Sequence, residues 1–246
     1  MKQKIIIANW KMNGNQRFCH DFMKQLCGEW PRAGATYEIT ICPPFPYLPV
    51  VASYVNRSGL SLGAQNCAEQ ISGAFTGDVS AQMLRDMSCK YVLIGHSERR
   101  QHHDELNHVL ANKLLIAQQS HLIPVLCVGE GSSERNNGSH LYTVSQQLLA
   151  CLPQQVDQEK LAIAYEPIWA IGSGRVANLP EIAEMHECIN QVLNTRFGSS
   201  VRIPILYGGS VNPQNARDII NLKEVGGVLV GGASLKINDF LQIISV

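Results

Sequence analysis

Short apolar, β-branched runs alternate along the whole chain with stretches of helical period. The runs are KIIIAN (4–9), YEITIC (37–42), LSLGA (60–64), KYVLIG (90–95), IPVLCV (123–128), LAIAYE ending at Tyr165-Glu166, IPILYG (203–208) and GVLVG (227–231). Nearly every position in them is apolar, as in strands buried on both faces. Between them lie FCHDFMKQLCGEW, ELNHVLANKLLIAQQ, VSQQLLACL and EIAEMHECINQVL, which predict helices. Asn178 with Glu181 predicts a capping box, and Asn212-Pro213 an N-cap followed by proline at the first helical position. Strict β–α alternation repeated eight times predicts an α/β fold, a closed (β/α)8 barrel forming a single domain over 1–246. An open doubly wound sheet is the alternative. It usually carries GxGxxG after its first strand, which NWKMNG is not. Two connections are long, 64–80 and 166–177, and long structureless connections in a compact domain are usually functional or disordered.

Composition narrows the class. The chain has 246 residues, with 20 Lys+Arg against 20 Asp+Glu, so the formal net charge is zero. Bulk charge therefore argues for neither nucleic acid nor a membrane surface. The first apolar run is too short for a signal-peptide core, and no run approaches the roughly 20 residues of a membrane span. A soluble, cytoplasmic protein is expected. The eight cysteines form no CxxC pair and sit mostly in apolar company, so they read as reduced core residues rather than a disulfide or metal framework. No HExxH occurs, and His102-His103-Asp104 reads as a solvated helix entrance rather than a metal site.

The chemistry of such a barrel gathers at the C-terminal ends of its strands. Asn9 and Lys11 follow the first run. His96, Ser97, Glu98, Arg99 and Arg100 follow the fourth, Gly129 and Glu130 the fifth, and Glu166 the sixth. Gly208-Gly209-Ser210 follow the seventh and Gly231-Gly232 the eighth. Singly, each has a plain explanation: a surface lysine, a structural histidine, turn glycines. Together they place a base, an imidazole, an ammonium and two glycine-rich turns on one rim. Glycine turns leading into helices let backbone N–H groups approach an anion, and the last two loops of this fold are its usual phosphate site. Glu166 stands out because a carboxylate ending an apolar strand and followed by Pro-Ile-Trp-Ala-Ile needs a partner or a purpose.

NWKMNG (9–14), GHSERR (95–100), CVGE (127–130), AYEPIWAIGSG (164–174), YGGSV (207–211) and VGGASL (230–235) resemble, in order and spacing, the signature segments of the triosephosphate isomerases. GAFTGDVS (73–80) resembles that family's dimer loop. The resemblance implies a TIM-barrel isomerase of glycolysis and gluconeogenesis, which interconverts dihydroxyacetone phosphate and D-glyceraldehyde 3-phosphate through an enediolate. It implies Glu166 as the base, His96 as the electrophile facing the carbonyl, and Asn9 and Lys11 in contact with substrate. Gly172, Ser210, Gly231 and Gly232 would donate to the phosphate. Cys127 and Glu98 would support these groups, Glu130 would meet Trp169 when the 166–177 loop is open, and Ile171 would shield Glu166 when it closes. A homodimer is implied, with Thr76 entering the partner's site. No metal or organic cofactor is implied. Ser173-Gly174-Arg175 and Asn178-Leu179-Pro180 depart from the family's commoner Thr-Gly-Lys and Thr-Pro-Glu, and GSSERNNG after Glu130 departs from its Glu-rich helix start. A different phosphate-binding barrel enzyme and a non-catalytic homologue remain as rivals. An aldolase would need a lysine in a strand core, where none occurs, and a non-catalytic homologue should have lost Lys11, His96 or Glu166.

Overall fold

The computed structural model describes residues 3–30, 37–55, 58–171 and 175–246. Eight parallel strands close into a barrel in sequence order: β1 (Lys4–Asn9), β2 (Tyr37–Cys42), β3 (Ser61–Ala64), β4 (Cys89–Ile94), β5 (Ile123–Val128), β6 (Ala162–Tyr165), β7 (Ile205–Tyr207) and β8 (Gly227–Val230). Closure is made by β1, whose Ile7 pairs with Thr40 of β2 on one side and Leu229 of β8 on the other. The open doubly wound alternative is thereby excluded.

The continuous apolar runs divide by strand period. Ile5 and Ile7 of β1 point into the barrel, with Tyr91, Leu93, Val125, Cys127 and Leu206. Ile6 and Ala8 point outward to the helices, with Ile39, Ile41, Val92 and Leu126. One face fills the barrel and the other packs the surrounding layer, so both must be apolar. That layer contains α1 (Gln16–Glu29), α2 (Leu48–Val55), α3 (Ala81–Asp86), α4 (Ser97–His102), α5 (Asn107–Gln119), α6 (Ser132–Asn136), α7 (His140–Cys151), α8 (Leu179–Phe197), α9 (Ala216–Asn221) and α10 (Ile237–Ile244). Buried Trp10, just past β1, meets Phe18 and Phe22 of α1 edge-on, with ring centres 5.0 and 5.1 Å apart.

The boundaries differ from the sequence pattern in ways with local causes. β7 starts two residues later than IPILYG suggests, because Pro204 has no N–H for the ladder. Its carbonyl still accepts from Ile163 N at 3.0 Å. The capping box of α8 is present: Glu181 N donates to Asn178 Oδ1 at 2.9 Å, and Asn178 N to Glu181 Oε2 at 2.8 Å. Asn212 does cap a turn, accepting from Gln214 N and Asn215 N through its side chain. The helix proper, however, begins only at Ala216, so Pro213 lies in a turn and not at its first position. His102 and His103 form the exit of α4 and not the entrance of a helix: His102 is its last residue and His103 its C-cap. None of the eight cysteines is in a disulfide, and six are buried. No described helix is long and apolar enough to cross a membrane, and among the described residues no group of three His, Cys, Asp or Glu could hold a metal ion.

Candidate active site

The strand ends surround a cavity of ≈ 800 Å³, within the usual range for small-molecule sites. Asn9, Lys11, His96, Glu166, Ser210, Gly231 and Gly232 all line it, so the described residues expected to act on or bind the substrate open onto one space, whereas Arg99, Arg100, Gly129 and Glu130 of the same rim do not line it. Gly172 lies outside the described residues.

Glu166 follows β6 directly. Its N–H donates to Val128 O at 2.8 Å, and Gly208 N donates to Tyr165 O at 2.7 Å, which extends the barrel ladder beneath the site. This backbone leaves no room for a side chain on β5's exit: a Cβ on Gly129 would fall 1.8 Å from the Glu166 carbonyl oxygen. A Cβ on Gly209 would fall 2.2 Å from the Tyr207 hydroxyl. These glycines are required by close approach before any role toward a ligand is considered.

The Glu166 carboxylate is 2 % exposed. Its Oε2 accepts from Ser97 N at 2.8 Å, and its Oε1 is 3.0 Å from His96 Nε2. The second approach is close but not aligned as a hydrogen bond, so Oε1 has no hydrogen-bond partner among the described residues. Burial pushes this carboxyl up. The opposing His96 ring, the Ser97 N–H and Lys11 pull it down further, and the net direction is below the ordinary glutamate value. The apolar cover expected to raise its basicity is therefore outweighed while the carboxylate rests against His96 and Ser97.

His96 acts as the N-cap of α4. Its Nδ1 accepts from Glu98 N at 3.3 Å, which puts the proton of the neutral ring on Nε2, facing Glu166. Burial favours the neutral ring, but the carboxylates of Glu166 and Glu98 oppose it and hold the pKa above the ordinary histidine value.

Lys11 has φ = 52°, an uncommon conformation for a lysine that costs about 1–3 kcal/mol and marks constrained sites. Its N–H donates to Asn9 Oδ1 at 3.0 Å, and Gln65 Nε2 donates to its carbonyl at 2.9 Å and to that of Cys42 at 2.9 Å. Its ammonium reaches Glu98 Oε1 at 2.6 Å. Cys127 lies wholly buried in the barrel, its thiol pushed well up by burial and then by Glu166. Ser210 Oγ donates to Ala170 O at 2.9 Å, joining the seventh strand's exit to the 166–177 connection. In that connection Trp169 Nε1 donates to Glu130 Oε1 at 2.7 Å, the contact expected of an open loop. Ile168 and Ile171 line the cavity, and Trp169 does not. Thr76 is exposed, with the rest of 71–78.

The sequence reading missed Ser97's backbone as a partner of Glu166 and Gln65 as the brace of Lys11. A signal existed for both. Ser97 N–H is the first donor of a helix start, and Gln65 is the polar residue directly after β3.

The family model described as triosephosphate isomerase matches residues 4–246. A triosephosphate isomerase from Magnetococcus marinus is 41 % identical over 99 % of this chain and 98 % of its own. One from Xanthobacter flavus is 43 % identical over 98 % and 96 %. The crystal structure of triosephosphate isomerase from Bartonella henselae superposes with a TM-score of 0.87 at 37 % identity, covering 98 % of this chain and 97 % of that one.

Proposed function

The chain belongs to the triosephosphate isomerase family and is an isomerase of dihydroxyacetone phosphate and D-glyceraldehyde 3-phosphate, and we propose that it acts as one barrel domain with Glu166 as base and His96 as electrophile. The observation that carries this assignment is the 3.0 Å separation of Glu166 Oε1 from His96 Nε2 inside the cavity. Two groups that meet at one point can act on adjacent atoms of a small substrate seated there.

Isomerisation moves a proton between neighbouring carbons, and one carboxylate performs both transfers if it reaches both carbons. Glu166 takes the proton from the carbon beside the carbonyl. Negative charge develops on the carbonyl oxygen and is met by donors already in place, the His96 Nε2–H and the Lys11 ammonium. Asn9 Oδ1 is engaged by Lys11 N, which leaves its amide NH2 for a substrate oxygen. His96 gives its Nε2 proton to that oxygen and takes the proton of the neighbouring hydroxyl, so the carbonyl moves to the first carbon as Glu166 returns its proton to the second. Substrate entry draws the carboxylate away from His96. Burial and the Glu98 N–H on Nδ1 then favour the neutral ring, while Glu166, separated from His96 and Ser97, regains basicity.

The phosphate is proposed to sit on the glycine turns after β7 and β8, held by N–H groups of Gly172, Gly231 and Gly232 and by Ser210. Its binding energy is remote from the reacting carbons, so it can draw the 166–177 loop over the site as a lid. A homodimer is part of the same reading. Ile71, Phe75, Met12 and Met83 are exposed around the 64–80 loop and the Lys11 turn, and a second copy would cover them with Thr76 reaching its partner's Asn9 and Lys11. A cytoplasmic location agrees with the cysteine usage. The test is direct: purified protein given dihydroxyacetone phosphate should yield glyceraldehyde 3-phosphate in a coupled assay with no metal or cofactor added beyond what the coupling enzyme itself requires. Product no faster than a protein-free blank refutes the assignment.

A further inference from the structure

Arg135 is used by no step of this mechanism, yet it stands between both ends of the lid. Its guanidinium lies 5.3 Å from the centre of the Trp169 ring. Nη2 is 3.1 Å from Glu181 Oε1, and Nη1 is 3.8 Å from Glu184 Oε2 and 4.0 Å from Glu130 Oε1. Glu181 is also the residue whose Oε2 accepts from Asn178 N and so closes the capping box of α8. Trp169 belongs to the first arm of the 166–177 connection, and Asn178 comes directly after its last residue. One side chain therefore contacts the first arm through a ring face and the far end through the carboxylate that caps α8.

The local electrostatics fit a contact that can be released. Glu130 Oε1 accepts from both Tyr165 Oη, at 3.0 Å, and Trp169 Nε1. Glu130 Oε2 and Arg135 Nη1 are buried, and neither has a hydrogen-bond partner among the described residues. The two charges attract at 4.0 Å without locking into a two-pronged pair, so the guanidinium plane stays available to the indole. Burial raises the Glu130 carboxyl, and the donors from Trp169 and Tyr165 and the charge of Arg135 oppose that rise.

We propose that Arg135 is a positioning residue of the lid: it holds Trp169 outward and ties that position to the N-cap of α8, setting the fraction of protein whose site is open before substrate arrives. The proposal rests on reading 166–177 as a lid. It is tested on the full chain labelled with 5-fluorotryptophan, whose three signals come from Trp10, Trp30 and Trp169, using sn-glycerol 3-phosphate as the probe. Arg135→Lys keeps the charge beside Glu130 but loses the planar stack and the fork. The expected result is an affinity for the probe about threefold to thirtyfold higher, the span that a lost cation–π contact corresponds to. The Trp169 signal of the unliganded variant should also lie nearer its liganded position. In a Trp169→Leu background the same substitution should change affinity by less than about twofold, because only the contact under test has been removed. Glu181→Gln, which weakens the tie to α8 with little change of shape, should move the Trp169 signal the same way. Equal affinity changes in both backgrounds, or an unmoved Trp169 signal in both variants, overturn the role of Arg135. A Trp169 signal that ignores saturating probe in the parent protein overturns the lid reading itself, and the proposal with it.

Discussion

Glu166→Gln separates the chemistry of the site from its shape. The side chains have the same size, and the glutamine oxygen can keep the 2.8 Å bond from Ser97 N. The glutamine NH2 would then face His96 Nε2 across the present 3.0 Å gap. Because Nδ1 accepts from Glu98 N, Nε2 carries a proton, and two donors oppose each other. The cost is one poorly matched buried contact, about 1–3 kcal/mol, offset in part by no longer burying a charge. Stability should therefore change by no more than about 2 kcal/mol, read from urea denaturation. Catalysis should respond differently. An amide cannot take the carbon-bound proton, and a positioned base contributes roughly 10²–10⁴-fold or more to rate. That corresponds to about 3–5 kcal/mol of barrier. A coupled isomerase assay should show kcat falling at least a hundredfold, while the affinity for sn-glycerol 3-phosphate stays within a few-fold, since the proposed phosphate donors are untouched. A kcat within tenfold of the parent would refute Glu166 as the base. So would an equal loss of kcat and analogue affinity, which would mean that the substitution had disturbed the cavity as a whole.

Gly129→Ala should be more damaging than its chemistry suggests. The new Cβ falls 1.8 Å from the Glu166 carbonyl oxygen, so the backbone of Glu166 must move, and thermal unfolding and kcat should both fall; a fully active, equally stable variant would refute this close-packing argument. Lys11→Met should weaken sn-glycerol 3-phosphate binding by about 10–100-fold, the scale of one lost charge-assisted hydrogen bond, and calorimetric affinities equal to the parent's would exclude the ammonium from the anion site. His186 is fully buried and its pKa is lowered to about 4 by burial, so the unfolded chain takes up the proton first as pH falls below about 6.5. Stability should drop by roughly 3 kcal/mol between about pH 6.5 and pH 4 from this residue alone, and His186→Phe should flatten that drop in urea titrations; identical pH slopes would rule the residue out. Thr76→Arg should give monomers by sedimentation with much reduced activity, and a fully active monomer would contradict the proposed support of Asn9 and Lys11 by a second copy.

The barrel was legible in the sequence because a strand buried on both faces leaves little choice of residue. Ile5-Ile6-Ile7-Ala8 must satisfy the interior and the helix layer alternately, and eight such runs separated by helical periods admit few closed arrangements. Local caps were legible where side chain and backbone lie within three residues, as at Asn178 and Glu181. They were less so at Asn212, where capping produced a turn that had still to be extended before a helix began. The rim residues could be collected because fold and strand order fix which ends of the strands share a face. The balance of forces on Glu166 could not be read in the same way. The apolar neighbours are written beside it in Pro167, Ile168 and Ile171, and they predict a raised carboxyl. What lowers it is a backbone N–H and an imidazole about seventy positions away, brought within 3.0 Å by the pairing of β4, β5 and β6. Arg135 follows the same logic. In sequence it is one charge in a polar segment, with Glu181 and Glu184 far along the chain. Only the placement of α6 between the first arm of the connection and the start of α8 lets Arg135 meet Trp169 on one side and those carboxylates on the other. Patterns of burial are thus encoded by neighbours along the chain, whereas the basicity of Glu166 and the resting place of Trp169 depend on neighbours that exist only once the barrel has closed.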